Sequence, residues 1–327
     1  MNGLLINGVW CTDPPSIKNE VRDFFQEKFT EPNPTRPGFT CHNIKKLSIE
    51  QGTFLISTFS FNEVKNAIWD CDGDKAPGPD GFNFTFIKHY WDLLGEDFQR
   101  ILVNFHNTGK ISKGCSSSFI TLIPKAKDPE NLNDYRPIIL IGCISKVISK
   151  VLANRLKTVI GSVISEEQSA YLSDRNILDG PLITNEIISW VKRSKAKAFL
   201  FKIDFEKAFD TISWNFIISV FEQKNFPEKW ILWIQGIFAS SRSSVLVNGS
   251  PTGEFQCSRG VRQGDPLSPF IFILAMEALS SFLSSASSAG IIKGLSLPNN
   301  GPVVSHLIFA DDVMLLGTWE EENFTNI

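Results

Sequence analysis

The sequence predicts an α+β fold with a substantial core. Of its 327 residues, 43% are apolar and 20% are charged, and the 27 Phe and 8 Trp argue against disorder over most of the length. Amphipathic helical patterns and short apolar strand patterns follow one another in a mixed order, and no internal repeat is found. A mixed order of this kind favours α+β.

Helices are predicted where apolar residues recur at helical spacing. They cover residues 16–29, 59–71, about 83–107 and 144–160. Another apolar helix should follow the loop at 259–269, with Ser268 as its N-cap and Pro269 at its first position. A Pro-rich linker at 31–40 and the loop GDKAPGPDG at 73–81 separate the earlier helices.

Strands are predicted at four places. Residues 119–123 read as a buried strand, and 199–205 as another, with Asp204 near its end. Residues 245–257 predict a hairpin that turns at Asn248-Gly249. The stretch HLIFADDVMLL at 306–316 is apolar, then acidic, then apolar, which predicts a second hairpin.

Several classes of protein are excluded by composition. The six cysteines have no CxxC spacing, so neither a zinc finger nor a disulfide framework is supported. No signal peptide is found, and no apolar run reaches the roughly 18 residues of a membrane helix, so an intracellular protein without a membrane partner is expected. The loop at 73–81 lacks the Lys-Ser/Thr ending of a P-loop.

Charge gives one local indication of a partner. The net charge of −3 does not point to nucleic acid, but residues 110–157 contain nine Lys or Arg against three Asp or Glu. Either a solvated helix face or contact with a phosphate backbone explains this excess.

Asp311 and Asp312 are adjacent within the predicted acidic hairpin. Without a counter-charge one of them would be expected to take up a proton, whereas a divalent cation removes that penalty. Mg²⁺ binds carboxylate oxygens and keeps positions open for phosphates, and a two-metal phosphoryl-transfer site needs bridging carboxylates. Asp204 could supply the third. The alternative is that Asp-Asp simply forms a turn.

Two further stretches have the chemistry of a nucleotide pocket. Phe209 could pack beneath a sugar and exclude a 2′-hydroxyl, although it could equally be a core aromatic. Gln263 and Gly264, in the loop RQGDPLSP, could lie against a nucleotide because Gly allows close approach. The same loop could instead be only the entry to a helix.

Eight motifs occur in the order found in one family. These are KAPGPDG, LIPK, YRPI, KVLANRL, QSAY, the stretch from Asp204 through KAFD, RQGDPLSP and FADD. In this respect the chain resembles the reverse transcriptases of non-LTR retrotransposons, most closely the plant long interspersed element type. The resemblance covers roughly residues 60–320. It implies a connector helix and linker at 1–59, followed by the polymerase fingers and palm at 60–327.

The resemblance implies a right-hand polymerase that transfers nucleotides to a primer 3′-hydroxyl with two Mg²⁺ ions, or Mn²⁺ in their place. Its expected partners are an RNA template, a DNA primer and deoxynucleoside triphosphates. The implied metal ligands are Asp204, Asp311, Asp312 and the Phe205 carbonyl. The implied nucleotide-binding residues are Lys125, Arg136, Phe209, Gln263 and Gly264. Phe309 replaces the usual tyrosine before the paired aspartates and keeps its ring.

The resemblance also carries an expectation about completeness. In the family, the rest of the palm, a primer-gripping hairpin and a thumb follow FADD, and an endonuclease precedes the polymerase. This sequence is expected to be a fragment that extends a primer poorly or not at all, the alternative function being a non-catalytic RNA-binding remnant. Phe209 argues against an RNA-dependent RNA polymerase, and the order of the motifs disfavours a metal-dependent hydrolase.

Overall fold

The computed structural model describes residues 2–41, 43–298 and 301–326. The helices are α1 Pro14–Lys28, α2 Ile49–Leu55, α3 Phe61–Trp69, α4 Phe84–His89, α5 Trp91–Thr108, α6 Lys113–Ser116, α7 Cys143–Val159, α8 Asp179–Ser194, α9 Ala208–Thr211, α10 Trp214–Gln223, α11 Glu228–Ala239, α12 Ser268–Ser288 and α13 Glu321–Asn326. The strands are β1 Leu4–Ile6, β2 Val9–Cys11, β3 Ser117–Pro124, β4 Tyr135–Ile141, β5 Ala198–Asp204, β6 Arg242–Val247, β7 Ser250–Pro251, β8 Phe255–Gln256, β9 Leu295–Ser296, β10 Val303–Val304, β11 His306–Phe309 and β12 Asp312–Thr318.

The predicted helices are largely confirmed. Helix α3 begins with a capping box between Ser60 and Glu63, and α7 is the long apolar helix predicted at 144–160. The single helix predicted at about 83–107 is instead two helices, α4 and α5, which meet at Tyr90. Both helices bury aromatic and aliphatic side chains in the same core, so the helical periodicity continues across the break.

The larger sheet joins β4, β3, β6 and β7 in that order, with β8 also paired to β6. All its pairs are antiparallel except β3 with β6. The predicted hairpin at 245–257 is confirmed, because Asn248 and Gly249 have φ of 50° and 79°, as a type I′ turn requires. Helix α1 packs Ile17, Val21 and Phe25 into the core beneath this sheet.

The smaller sheet is antiparallel in the order β11-β12-β5. Its hairpin is the predicted HLIFADDVMLL, with Phe309 opposite Asp312 across the turn. In the observed register, Val313 and Leu315 pack into the main core on one face of β12, and Leu316 packs into a smaller cluster on the other face. Asp312 is thereby placed opposite Asp204, at the end of β5.

Helix α12 is the apolar helix predicted after the RQGDPLSP loop, but its predicted cap is wrong. Its N-cap is Leu267, and Ser268 is the first helical residue, since the Asp265 side chain already accepts the Leu267 N–H at 2.9 Å. Contrary to the sequence expectation, α12 is long and apolar enough to cross a membrane by length and composition, but 67% of its apolar window is buried inside the fold. It therefore serves as a core helix here.

The GDKAPGPDG loop is ordered by its contacts with the start of α7. The Asp80 carboxylate accepts the Cys143 N–H at 2.5 Å and so caps a helix whose own N-cap, Gly142, has no side chain. A Cβ on Gly78 would lie 2.4 Å from the Ile141 carbonyl carbon. The loop needs glycine at that position in order to pack closely against the junction of β4 and α7.

The Pro-rich stretch at 31–40 lies along the protein without regular structure. The Gln223 side chain donates to the Phe39 carbonyl at 2.8 Å and accepts the Cys41 N–H at 2.7 Å. The Phe39 ring packs on Phe216. These contacts attach the stretch to α10, which contains both Phe216 and Gln223.

Candidate active site

The acidic hairpin places two carboxylates side by side on the smaller sheet. Asp204 and Asp312 are directly opposite each other on antiparallel strands, so their side chains share one face. Asp311 lies in the turn immediately before Asp312, after Ala310, whose φ is +54°. Asp204 and Asp312 are exposed, so carboxylates at this edge of the sheet are accessible to a ligand.

Lys202 forms an ion pair with one of these carboxylates. Its Nζ lies 2.8 Å from Asp312 Oδ1, and both side chains are more than half exposed. The pKa of Lys202 is raised chiefly by this hydrogen bond and by the charge of Asp312, with smaller contributions from Asp204 and Asp311. The charges of all three aspartates therefore act on the Lys202 ammonium. Lys202 was not among the predicted site residues, although its position two residues before Asp204 puts it on the same face of β5.

The QSAY motif is hydrogen-bonded to the backbone of the acidic turn and of the strand before it. Gln168 is completely buried, and its Oε1 accepts the backbone N–H of both Ala170 and Ala310 at 3.0 Å. Ser169 N donates to the Ile308 carbonyl at 3.0 Å. Tyr171 reaches the same region, since its pKa is raised by burial and then by Asp311. The motif thus fixes the backbone conformation that presents the paired aspartates.

The donor set suits a hard divalent cation, since it consists of carboxylate oxygens close together on an exposed face. However, within residues 2–41, 43–298 and 301–326 no three Asp, Glu, His or Cys side chains are gathered as a ready-made ligand cluster. Lys202 instead neutralises Asp312. The convergence of Asp204, Asp311 and Asp312 on metal, and the role of the Phe205 carbonyl, stay predictions.

Phe209 lies beside the acidic strand in the short helix α9. Its ring stacks on Phe272 of α12, with centroids 4.0 Å apart and an interplanar angle of 15°. Its carbonyl accepts the Val261 N–H at 2.7 Å. Phe209 is half-buried, so the ring is supported from the core on one side while it stays partly accessible, as either predicted role allows.

The RQGDP loop, defined here as residues 259–267, lies against β4 and α9. The Gln263 carbonyl accepts the Ile139 N–H at 3.0 Å, and Gly264 has φ of +109°, which favours glycine. The Gln263 side chain donates from Nε2 to Asp210 Oδ1 at 2.8 Å. Gln263 is thus tied to the residue that follows Phe209, so the two predicted pocket residues belong to one structural unit.

Asp210 and its second partner, Lys28, were missed by sequence analysis. Lys28 Nζ lies 2.7 Å from Asp210 Oδ2, with side chains only 10% and 3% exposed. Burial lowers the pKa of Lys28, Asp210 raises it, and the charges of Lys207 and Lys125 lower it further. Asp210 is the last residue of the KAFD motif, so the motif could have pointed to it. Nothing in the sequence linked Asp210 to a lysine 182 positions earlier.

Of the two predicted phosphate-binding cations, Lys125 is placed next to the palm segment that follows Asp204. Lys125 Nζ donates to the Asn133 carbonyl, and Lys207 Nζ donates to Asn133 Oδ1, both at 2.8 Å. Arg136 is exposed on β4 and makes no ion pair with any described residue. Its guanidinium is therefore available, but among the residues that the structure describes no hydrogen bond or ion pair of its side chain joins it to Lys125 or to the acidic hairpin.

Arg155 of the KVLANRL motif is buried and ion-paired inside the fold. It is therefore one basic residue fewer for contact with nucleic acid among the nine counted at residues 110–157. Its side chain is 3% exposed and pairs with Glu63, with Nε 2.5 Å from Oε1. It also donates to the carbonyls of Leu55, Ser57 and Thr58. Lys146 and Lys150 line a cleft of about 540 Å³ that also includes Gly264, Lys75 and the acidic Asp70 and Asp72, and Lys150 Nζ lies 3.7 Å from Asp70 Oδ2.

These features together define a class of protein. Exposed carboxylates on adjacent strands, a half-buried aromatic residue in the segment that follows one of them and a cleft lined by three lysines are features of a nucleotidyl-transfer enzyme.

The family is shown by comparison with known proteins. Residues 123–326 match the family model described as "Reverse transcriptase (RNA-dependent DNA polymerase)", and the chain belongs to this family. Its relatives confirm the predicted group, the non-LTR reverse transcriptases. The mixed α/β fold fits the fingers and palm of such an enzyme.

Three relatives illustrate the similarity. The chain is 28% identical over 95% of its length to a transposon TX1 uncharacterized 149 kDa protein of Xenopus laevis. It is 30% identical over 74% of its length to a Pol polyprotein from a type-1 retrotransposable element R2 of Popillia japonica. It is 24% identical over 81% of its length to the RNA-directed DNA polymerase from mobile element jockey of Drosophila melanogaster. The chain spans 24%, 32% and 29% of these relatives' lengths, respectively.

Proposed function

We propose that this chain carries the RNA-directed DNA polymerase core of a non-LTR retrotransposon, of the plant long interspersed element type, and acts inside the cell. The observation that supports this most strongly is the pairing of Asp204 with Asp312 across the acidic hairpin, in a chain of the reverse transcriptase family. The substrates we propose are deoxynucleoside triphosphates, an RNA template and a DNA primer.

Asp204, Asp311 and Asp312, with the Phe205 carbonyl, would hold two divalent cations. When bound, such ions stabilise the charge that develops on the attacking and leaving oxygens. The Lys202 ammonium must then leave Asp312, which costs little because the pair is exposed to solvent. Phe209, stacked on Phe272, would sit under the sugar and disfavour a 2′-hydroxyl.

Lys125 and Arg136 would bind the triphosphate, Arg136 through its planar fork and Lys125 as a point charge. Lys146 and Lys150, in the cleft beside Gly264, would contact the backbone of the nucleic acid. Binding of nucleic acid should therefore weaken as salt is raised. Arg136→Ala should weaken nucleotide binding more than template binding.

A second function is favoured by one observation. Asp312 is already ion-paired with Lys202, and the described residues contain no gathered three-ligand cluster. A non-catalytic RNA-binding remnant would have these features and would still use the cleft lined by Lys75, Lys146 and Lys150.

Primer extension distinguishes the two functions. Purified protein is given oligo(dT) annealed to poly(rA), with dTTP and Mg²⁺, and RNA binding is measured in parallel at several salt concentrations. Extension by the wild type that is lost in Asp311→Ala supports the polymerase. Salt-sensitive RNA binding without extension supports the remnant and contradicts the proposed activity.

A further inference from the structure

The C-terminal end of α1 contacts the predicted nucleotide pocket through one buried carboxylate. Asp210 Oδ2 pairs with Lys28 at 2.7 Å, and Asp210 Oδ1 accepts from Gln263 Nε2 at 2.8 Å. Both oxygens of this carboxylate are therefore engaged by side chains from distant parts of the sequence. A buried carboxylate with a charged partner on one oxygen cannot rotate without losing that partner.

Backbone contacts hold the same three segments together. The Phe29 carbonyl accepts from the N–H groups of Ser258 and Arg259 at 2.9 and 3.2 Å, and Arg259 Nε donates to the Lys28 carbonyl at 2.9 Å. Gly260 has φ of +81°, and a Cβ there would lie 2.4 Å from the Asp210 carbonyl oxygen. The end of α1, the residue after Phe209 and the RQGDP loop are thus in direct contact.

The surrounding charges make Lys28 dependent on Asp210. Lys207 and Lys125 face the same region and repel it, while Phe25 and Phe29 lie under its ammonium at 5.5 and 5.7 Å. Asp210 is the carboxylate that compensates this buried cation. Each buried charge therefore stabilises the other. Because Asp210 Oδ2 is held by Lys28, Asp210 Oδ1 is fixed toward Gln263.

We propose that Lys28 is a positioning residue for the nucleotide site. It holds Asp210, and Asp210 in turn holds the Gln263 amide nitrogen beside α9, the short helix that carries Phe209. This inference rests on the proposed function for the role of Gln263. Lys28 lies outside the eight motifs and before residues 123–326, so the N-terminal segment becomes part of the polymerase site.

The test compares Lys28→Met with Lys18→Met, which changes a half-buried lysine on the same helix whose Nζ donates to Ser250 Oγ. Incorporation of dTTP is measured on poly(rA) with oligo(dT). Lys28→Met should raise the KM for dTTP about tenfold or more while kcat changes much less, as for loss of a charged hydrogen-bonded contact. Lys18→Met should leave both constants unchanged, and Lys28→Arg should restore most of the KM.

A double variant tests whether Lys28 acts through Asp210. Lys28→Met combined with Asp210→Asn should raise KM no more than Lys28→Met alone, because the two changes remove one interaction. Additive increases would overturn the proposal. So would equal losses in kcat for Lys28→Met and Lys28→Arg, since these indicate general structural damage. If Lys28→Met does not fold, Lys28→Gln takes its place in each measurement.

Limited trypsin digestion keeps the inference separate from the proposed function. Cleavage after Arg262, inside the RQGDP loop, should be several-fold faster in Lys28→Met than in the wild type and Lys18→Met, because the loop has lost its anchor. If the wild type incorporates no dTTP, the proposed function fails, and cleavage after Arg262 still decides whether Lys28 holds the loop. Equal cleavage in all three proteins would overturn the inference.

Discussion

Asp204 and Asp210 are six residues apart in one segment of chain, yet their surroundings are opposite. Asp204 is exposed at the end of β5, opposite Asp312, and its charge acts on the exposed Lys202. Asp210 is 2% exposed and bonded on both oxygens. The first carboxylate is free to bind a ligand, whereas the second is committed to holding the fold around the pocket.

The difference shows that burial and partners decide what an aspartate does. An exposed carboxylate in a high-dielectric environment binds its lysine weakly and can exchange it for a metal ion. A buried pair has lost its hydration, so removal of either partner leaves an uncompensated charge. Substitution of Asp312 should therefore affect mainly activity, whereas substitution of Asp210 should affect mainly stability.

The largest effect is expected on activity at the acidic hairpin. Asp312→Asn should lower the rate of primer extension by roughly three orders of magnitude or more, since metal ions contribute several kcal/mol to phosphoryl transfer. Asp23→Asn is the matched control, an exposed aspartate on α1 that pairs with Arg22. Single-nucleotide incorporation measures both, and a rate for Asp312→Asn within tenfold of wild type would contradict the assignment.

The next effect concerns stability. Asp210→Ala should lower the free energy of unfolding by about 3–5 kcal/mol, because Lys28 is left buried without its partner. Asp312→Ala should lower it by only about 0–1 kcal/mol, as for an exposed ion pair. Urea denaturation followed by tryptophan fluorescence measures both. If the two variants lose the same stability, the contrast between the two regions is wrong.

A smaller effect is expected from close packing around Asp210. Gly260→Ala places a methyl group against the Asp210 carbonyl, whereas Gly81→Ala, at a similar φ of +75°, meets nothing within 4 Å. Both variants strain the backbone, but only the first also overlaps, so Gly260→Ala should cost about 1–3 kcal/mol more than Gly81→Ala. The difference between their unfolding free energies measures the packing cost, and a zero difference would refute it.

The smallest effect is expected at Lys202. Removing its charge in Lys202→Met should raise the affinity for Mn²⁺ roughly two- to fivefold, because an exposed ion pair competes only weakly with a metal ion. Lys197→Met, at an exposed position just before β5, should change the affinity less. Electron paramagnetic resonance of free Mn²⁺ measures both, and a lower affinity in Lys202→Met would show that Lys202 assists binding instead of competing.

Sequence alone determined the elements that have strong local signals. The stripe of α7, the Asn248-Gly249 turn and the acidic hairpin were each predicted within a few residues, because apolar periodicity and turn residues are local properties. The order of eight motifs also determined the family, since each motif is a short string of residues that can be recognised without knowledge of the fold.

Only the tertiary structure decided which residues act together. It moved the cap of α12 from Ser268 to Leu267 and Asp265, buried Arg155 among carbonyls, and set Lys202 against Asp312. It also brought Lys28 to Asp210 across 182 positions of sequence. Such contacts depend on how α1 packs against the larger sheet and the RQGDP loop, and no local pattern of residues records that packing. The physical reason is that an ion pair is fixed by position in space, which the chain reaches only after its core has formed.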